Sequence, residues 1–538
     1  MLGRWLGALV LLIFTSPFAL SQTVIEGQVH DSSAKPVANA GVTLLHEDGT
    51  AVATARTDAS GTFRFAPIEA GAYTLQVEAE GYFKSDYSFT LRARQPMSLS
   101  IELAVRSAVQ QSVEVRSSYR TIDPQKTGSS QTLTRGELER LPDPLAEDTT
   151  ALVANLMPGA SQSHDNFINV RGNEFSLHEF INGVSFLDNT QPQFSPGISP
   201  QIFETVDLLT GGFTPEYGNR FGGVLDITTR SGRTMNGHGL LNYRGATLDN
   251  HDLNADYGGQ AGAIGYYFFA DGFTSGRYLD PPQPEELHDF GAGLRGTMQL
   301  DWQGRKDNLK LLLIGGGTNF QQPNILQDQE AGRDATRRLR QQTAILTWGH
   351  TFSGDTLLSS SVYQRIGSDR ILPTSDPDTP LSIGSRSTFT VGVKSDVIHL
   401  WHGHVLKAGV DLVRLRELES FFIDGRGDPD VFPIDFRQGL KGGQASVYLQ
   451  DHFSPFRNLA VDLGLRYDHF DLVDTQVQTS PRIGLAYHLT RTNTVFRGAY
   501  NRLMSPPPIE YSLLASFIGN NSPELDQRVG NVRAYTQN

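Results

Sequence analysis

The chain has 538 residues, 38% of them hydrophobic, a formal net charge of −13 and no cysteine. That length calls for several domains, the acidic balance argues against a nucleic-acid partner, which needs a basic surface, and the lack of cysteine excludes disulfide frameworks, thiolate metal sites and a lipoprotein anchor. The negative mean hydropathy does not exclude a membrane protein, because a membrane β-barrel alternates lipid-facing with lumen-facing residues and never shows a long apolar run.

Residues 1–21 read as a signal peptide. Arg4 supplies the positive start, Leu6 to Phe14 the apolar stretch and Ala19-Leu20-Ser21 a small-x-small cleavage site, with Pro17 interrupting the run well short of a membrane-spanning helix. The mature chain then begins near Gln22 and is exported. From 22 to 105, VIEGQV, GVTLLH, GTFRFAPI, AYTLQVEA and MSLSIEL alternate apolar with polar residues, joined by the turns DSSAKPV, HEDGT, TDASG and EAG. This predicts a small antiparallel β-sandwich. The same residues resemble a carboxypeptidase regulatory-like domain, whose fold is grouped with carbohydrate-binding-like folds, although no sugar-stacking set of aromatics stands out. Nothing resembles a peptidase site: after His178-Glu179-Phe180-Ile181 comes Asn182, where a zincin needs its second histidine.

Residues 106–135 are polar and turn-rich and read as a linker, containing one short extended patch, Gln110 to Val115. Residues 136–234 follow as a small α+β unit. Gly136 to Leu141 suggests a short helix stopped by Pro142, and Asp148 can cap a second helix whose Leu152, Val153, Leu156 and Met157 share one face before Pro158-Gly159 ends it. Ile168 and Val170 alternate into Arg171-Gly172, and Phe180-Ile181 leads into the turn Asn182-Gly183. In 204–232, Val206, Leu208 and Leu209 stop at Gly211-Gly212, and a second pair, Gly222-Gly223, precedes Val224 to Ile227. Paired glycines permit positive φ or close backbone approach, so the stretch reads as strand, tight turn, strand, tight turn.

The ordered string from Thr210 to Gly232, with Tyr217 and Gly218 inside it, resembles the closing segment of the plug domain of TonB-dependent outer-membrane receptors, and LERLP and ALVANLMPGA resemble that plug's opening. The resemblance implies plug-motif roles for Arg171, Gly172, Asn182, Gly183, Gly211, Gly212, Tyr217, Gly218, Gly222 and Gly223. A buried Arg171 would need a carboxylate partner. It also implies a TonB box ahead of the plug, an extended segment that adds as a strand to periplasmic TonB. Val113, Glu114 and Val115 are the candidates, and the same patch reads equally as a last sandwich strand or as plain linker.

After 235, Val461, Leu463, Leu465 and Tyr467 alternate with Asp462, Gly464, Arg466 and Asp468, and Ile483 to Leu489 repeat the pattern. This predicts an antiparallel transmembrane β-barrel over 235–538. QGRKDN, FSGD, WHGH, SPFRN and TRTN are its short turns. Longer loops fall near 276–288, 320–337, 370–386 and 423–440, and Trp302, Phe352, Trp401, Phe453 and Tyr487 beside the short turns suggest an interfacial girdle. About twelve strands are expected, against 22 in plugged barrels of the resembled kind, so the barrel is expected to be incomplete: an open sheet with unpaired edges, unable to insert stably as a pore.

Other motifs lack context. Gly291 to Gly296 satisfies GxGxxG but runs on as alternating strand. His399, His402 and His404 flank a short turn, and Asp468, Asp471 and Asp474 approach a loop; neither set is expected to hold a metal, and no cofactor is implied. The fold expected is thus mainly β: sandwich, plug and partial barrel. The function implied is energised uptake of a siderophore, vitamin, oligosaccharide or peptide, with TonB, membrane lipid and that ligand as partners. The alternatives are an outer-membrane adhesion or interaction receptor that binds through the sandwich and a secreted β-rich enzyme, the latter disfavoured because no nucleophile–base set appears.

Overall fold

A computed structural model describes residues 24–31, 36–46, 50–66, 68–79, 82, 85–91, 97–103, 126–140, 156–163, 168–172, 177–185, 195–218, 222–374, 376, 381–426, 433–471, 475–492, 494–506 and 535–537. The signal peptide, the candidate TonB box Val113-Glu114-Val115, most of the second plug helix, Asp474 and residues 507–534 lie outside them. The chain forms two compact units, one holding the N-terminal strands and one holding residues 126 onward.

The first unit contains β1 (Ile25–Asp31), β2 (Gly41–His46), β3 (Ala51–Arg56), β4 (Thr62–Arg64), β5 (Gly71–Glu78), β6 (Ser85–Leu91) and β7 (Met97–Leu103). They form two sheets, β4-β1-β7 and β3-β2-β5-β6. Period-two alternation sends Ile25, Val29, Val42, Leu44, Leu75 and Ile101 into a shared core. One pairing departs from the antiparallel expectation: β1 and β7 run parallel, from Ile25 beside Met97 to Asp31 beside Leu103. Asp58 pins the β3–β4 turn, accepting from the backbone N–H groups of Ser60 and Thr62 at 2.9 Å. Its hydrogen bonds from the Ser60 hydroxyl and the Thr62 N–H hold its carboxyl below the ordinary range.

The second unit begins with a plug: β8 (Ser129–Thr134), α1 (Arg135–Leu138), β9 (Ala160–Gln162), β10 (Ile168–Val170), β11 (Leu177–Ile181), β12 (Val184–Ser185), β13 (Phe203–Gly211) and β14 (Gly223–Thr229). Its main sheet runs β12-β11-β14-β13-β8, with β11 and β14 parallel. Ser129 to Thr134, read from sequence as linker, pair with β13 and close the plug sheet. Thr134 then starts α1, donating its N–H and hydroxyl to the Glu137 carboxylate at 2.8 Å.

Thirteen strands follow in one sheet, each paired with the next in chain order: β15 (His238–Ala246), β16 (Asn250–Ala261), β17 (Ile264–Ser275), β18 (Gly291–Gln303), β19 (Asp307–Gln321), β20 (Thr336–Ser353), β21 (Thr356–Leu372), β22 (Leu381–Trp401), β23 (His404–Asp424), β24 (Ile434–Phe456), β25 (Leu459–Asp471), β26 (Thr475–Leu489) and β27 (Thr494–Asn501). That is one more than the alternation count. Among the described residues β15 and β27 do not pair with each other. Two-residue turns join several pairs; at the β22–β23 turn His402 and Gly403 take φ of 46° and 86°, the left-handed values such a hairpin requires. Among the described residues the long connections carry one short helix, α2 (Leu326–Glu330).

Each long strand presents two chemistries. Trp348, Val362, Trp401, Leu412, Val447 and Leu463 are exposed on the outward face, while Tyr267, Phe269, Leu312, Ile345, Tyr363 and Val413 point inward and share one core with plug residues such as Val206, Leu208, Leu225 and Ile227. Burying plug apolar surface against the sheet joins the two by the ordinary hydrophobic drive. Gly232 shows how close the approach is: a Cβ there would collide with the carbonyl of Tyr266 and stand 2.8 Å from that of Gly259. Gly232→Ala is therefore expected to cost about 1–3 kcal/mol, read as a lowered midpoint of the heat-induced mobility shift in a detergent gel; an unchanged midpoint would show that the seam yields freely.

Candidate functional site

The plug meets the sheet most intimately through the loop from Gly212 to Gly218, between β13 and β14. Gly212 takes φ of 68° and lies against Gly128, whose Cα is 2.7 Å from where a Cβ on Gly212 would be. This turns the chain out of β13 and leaves the following carbonyls without a neighbouring strand. Buried carbonyls need donors, and the inward arginines of β25 and β26 provide them. Arg482 Nη1 donates to the carbonyls of Thr214 at 2.5 Å, Tyr217 at 2.6 Å and Phe213 at 3.4 Å. Arg466 Nη1 donates to those of Pro215 at 3.1 Å and Glu216 at 3.4 Å, while its Nε donates to Asp468 at 2.8 Å. A Cβ on Gly218 would stand 2.7 Å from the Arg466 guanidinium carbon, so a larger residue there would push the guanidinium out of its present position.

Charges close the loop from the sides. Lys407 on β23 donates to the Glu216 carboxylate, and Gln450 on β24 accepts from the Glu216 N–H at 3.3 Å. Burial would raise Glu216, but the charges of the Lys407 and Lys394 ammoniums and hydrogen bonds from Lys407 and Gln450 hold its carboxyl down at about 2. Tyr217 donates to Asp226 Oδ2 at 2.8 Å and meets Phe180 edge-on, with ring centroids 5.1 Å apart. Burial, opposed by that hydrogen bond and assisted by Glu216 and Asp207, lifts Asp226 on β14 to about 6. Lys394 on β22 donates to the Gly183 carbonyl at 2.8 Å.

The sequence-derived plug residues fall into three places. Gly211, Gly212, Tyr217 and Gly218 build the loop, and Gly222 and Gly223 lead into β14, where a Cβ on Gly223 would stand 2.9 Å from the Met157 sulfur. Asn182 and Gly183, at φ of 49° and 78°, form the β11–β12 turn. The Asn182 amide donates to the Thr229 hydroxyl at 2.8 Å and accepts from its N–H at 3.1 Å, tying that turn to the end of β14. Arg171 and Gly172, at φ of 54° and 78°, form a separate turn. Arg171 is exposed, and its guanidinium donates to the Thr210 carbonyl. The expected carboxylate partner is replaced by a backbone oxygen, because the left-handed turn carries the side chain out over the end of β13. Sequence reading did not find Arg466, Arg482, Lys407 or Lys394, which look like any inward charge of an alternating strand.

The other sets resolve differently. His399 hydrogen-bonds Thr356 at 2.8 Å, and His404 pairs with Asp451 at 2.8 Å while stacking on Phe453. Asp468 is held by Arg466 and by Ser446 at 2.6 Å. Among the described residues no three histidines or carboxylates converge on a metal position. Gly291 to Gly296 lie within β18.

A long antiparallel sheet, apolar outside and bonded inside to a small mixed plug, defines a plugged outer-membrane β-barrel protein. Residues 281–531 match the family described as TonB dependent receptor-like, beta-barrel, and residues 24–104 match the carboxypeptidase regulatory-like domain; the chain carries both modules. It is similar to the TonB-dependent transporter Oar of Myxococcus xanthus, 28% identical over 251 residues that make up 44% of this chain and 23% of that protein. Among solved structures it resembles the ferric-catecholate import receptor Fiu of E. coli K12, with 13% identity, a TM-score of 0.56 and 72% of this chain covering 71% of that one. It also resembles the copper transporter OprC, with 14% identity, a TM-score of 0.59 and coverages of 71% and 63%. These likenesses show the fold. The matched proteins are transporters and receptors, not enzymes, and the chain is an outer-membrane protein.

Two outcomes follow from the loop. Gly212→Val imposes a β-branched side chain on a left-handed backbone against Gly128 and is expected to cost about 1–3 kcal/mol, seen as a lower yield of folded protein; normal folding with lost transport would make the glycine a hinge instead of a packing device. Asp226 lies in a plug strand enclosed by the sheet, and its folded pKa, about 6, exceeds the ordinary 3.8. The folded state thus binds the proton more tightly, and stability falls as pH rises through that window. Asp226→Asn should raise the thermal midpoint at neutral pH, with the gain vanishing as pH drops below about 4; a gain independent of pH would sink this assignment.

Proposed function

We propose that the chain acts as a TonB-dependent outer-membrane receptor that takes up a scarce ligand, such as a siderophore, vitamin, oligosaccharide or peptide, with energy delivered through TonB. The observation that carries this reading is how the Gly212–Gly218 loop is held. Its carbonyls are bonded to Arg466 and Arg482 side chains and not to a strand, so the loop can leave the sheet wall without breaking a single rung of the ladder. A ligand bound among the long loops and the plug would meet a barrier that moves when pulled from the periplasmic side. The similarity to Oar, and the uptake of iron complexes and copper named for Fiu and OprC, supports the transporter class without selecting a ligand. Val113, Glu114 and Val115 are the segment proposed to add as a strand to TonB, and Arg171, Gly172, Asn182, Gly183 and the loop glycines are the plug elements proposed to rearrange.

Removing residues 110–116 is expected to abolish energised uptake while surface binding of the same ligand survives, measured side by side in cells whose own copy is deleted. Normal uptake by that deletion would overturn the assignment of the TonB-pairing segment.

A further inference from the structure

The outward face of β20 to β24 carries a band of cations above its apolar zone. On β20 the outward positions run Trp348, Leu346, Ala344 and Gln342 toward the long loops and then become Arg340 and Arg338; on β23 they run His404, Leu406, Ala408, Val410 and Leu412 and then become Arg414 and Arg416. Arg370 on β21 and Lys441 and Arg437 on β24 continue the band, all of them exposed. Ten positions of β23 separate His404 from Arg414. At about 3.3 Å per residue and a tilt of about 40°, that spans roughly 25 Å, the height of a bilayer's apolar band. The cations therefore sit where lipid headgroups begin, on the long-loop side.

Two features set this band apart from scattered surface charge. First, the acids level with the centre of the band point inward. Asp369, Glu417 and Glu419 meet Arg337 and Arg386 there, and Asp435, an outward acid at the loop end of β24, meets Arg437 at 3.8 Å, while Arg414, Arg416 and Lys441 make no ion pair with a described carboxylate. Second, like charges stand directly opposite each other across two ladders, Arg416 beside Lys441 and Arg338 beside Arg370. Such pairs destabilise a sheet on their own, and a multivalent anion seated between the strands reverses the sign of that interaction.

We propose that this band is a binding surface for the phosphate groups of lipid headgroups in the leaflet nearest the long loops, with Arg414, Arg416 and Lys441 as its centre and Arg338 and Arg370 as a second pair. Leu412, one outward position below Arg414, and Phe389, level with Arg416 across the β22–β23 ladder, supply apolar surface for the acyl region. The inference is independent of TonB coupling and of the transported ligand.

The test uses the full chain folded in detergent and titrated with fluorescent bisphosphorylated lipid A, with dephosphorylated lipid A as the comparison. Arg414→Gln with Arg416→Gln and Lys441→Gln should weaken binding of the phosphorylated lipid on the order of a hundredfold, since each Lys or Arg near an anionic surface contributes about fivefold. Arg338→Gln with Arg370→Gln should weaken it less, while Arg305→Gln with Lys306→Gln, at a turn on the opposite edge, leaves it unchanged. Neutralising the opposed cations should leave heat stability equal or higher, which separates lost binding from lost folding. Equal binding of the dephosphorylated lipid by the parent chain, undiminished binding by the triple variant, or an equal loss in the Arg305/Lys306 control would overturn the proposal.

Discussion

A carbonyl oxygen enclosed between plug and sheet must find a donor or make the whole arrangement unfavourable. Five consecutive carbonyls, from Phe213 to Tyr217, meet that requirement through two guanidiniums reaching in from β25 and β26. Arginine suits the task because its planar group holds several donors in fixed directions and keeps its charge when buried. Arg466 is 2% exposed and is balanced by Asp468 at 2.8 Å. The glycine at 218, the inward side chains of four consecutive strands and the position of β14 all follow from fitting the loop beneath these two groups.

Alternation is the feature that sequence conveys best. The outward run Leu463, Leu465, Tyr467 and the inward run Asp462, Arg466, Asp468 are visible by eye because a strand's side-chain period is two. The turn at Asn182-Gly183 and the glycine pair at 211–212 are visible because few residues tolerate positive φ. Strand direction is not encoded in alternation, which is why the parallel β1–β7 pair came as a correction. The segment Ser129 to Thr134 was hidden by composition: it is polar, and its one deeply buried apolar side chain is Leu133.

The seam was the least legible part. Arg482 and Thr214 are far apart in the chain, and nothing local distinguishes an inward arginine that caps a plug carbonyl from one that merely lines the lumen. Arg171 shows the opposite error. An arginine next to a glycine after an apolar pair looks like a buried charge, yet the left-handed turn exposes it and supplies a backbone oxygen as its partner. Backbone geometry, not residue chemistry, decided that outcome.

The parallel pairing of β1 with β7 has a mechanical meaning for the N-terminal unit. Because the two strands point the same way, the chain enters the unit at one end of this ladder, beside Ile25, and leaves at the other, beyond Leu103. Tension between these ends slides one strand along the other and loads all the rungs together. An antiparallel hairpin in the same place would open one rung at a time, like a zip. In this ladder a pull along the chain is thus carried in shear.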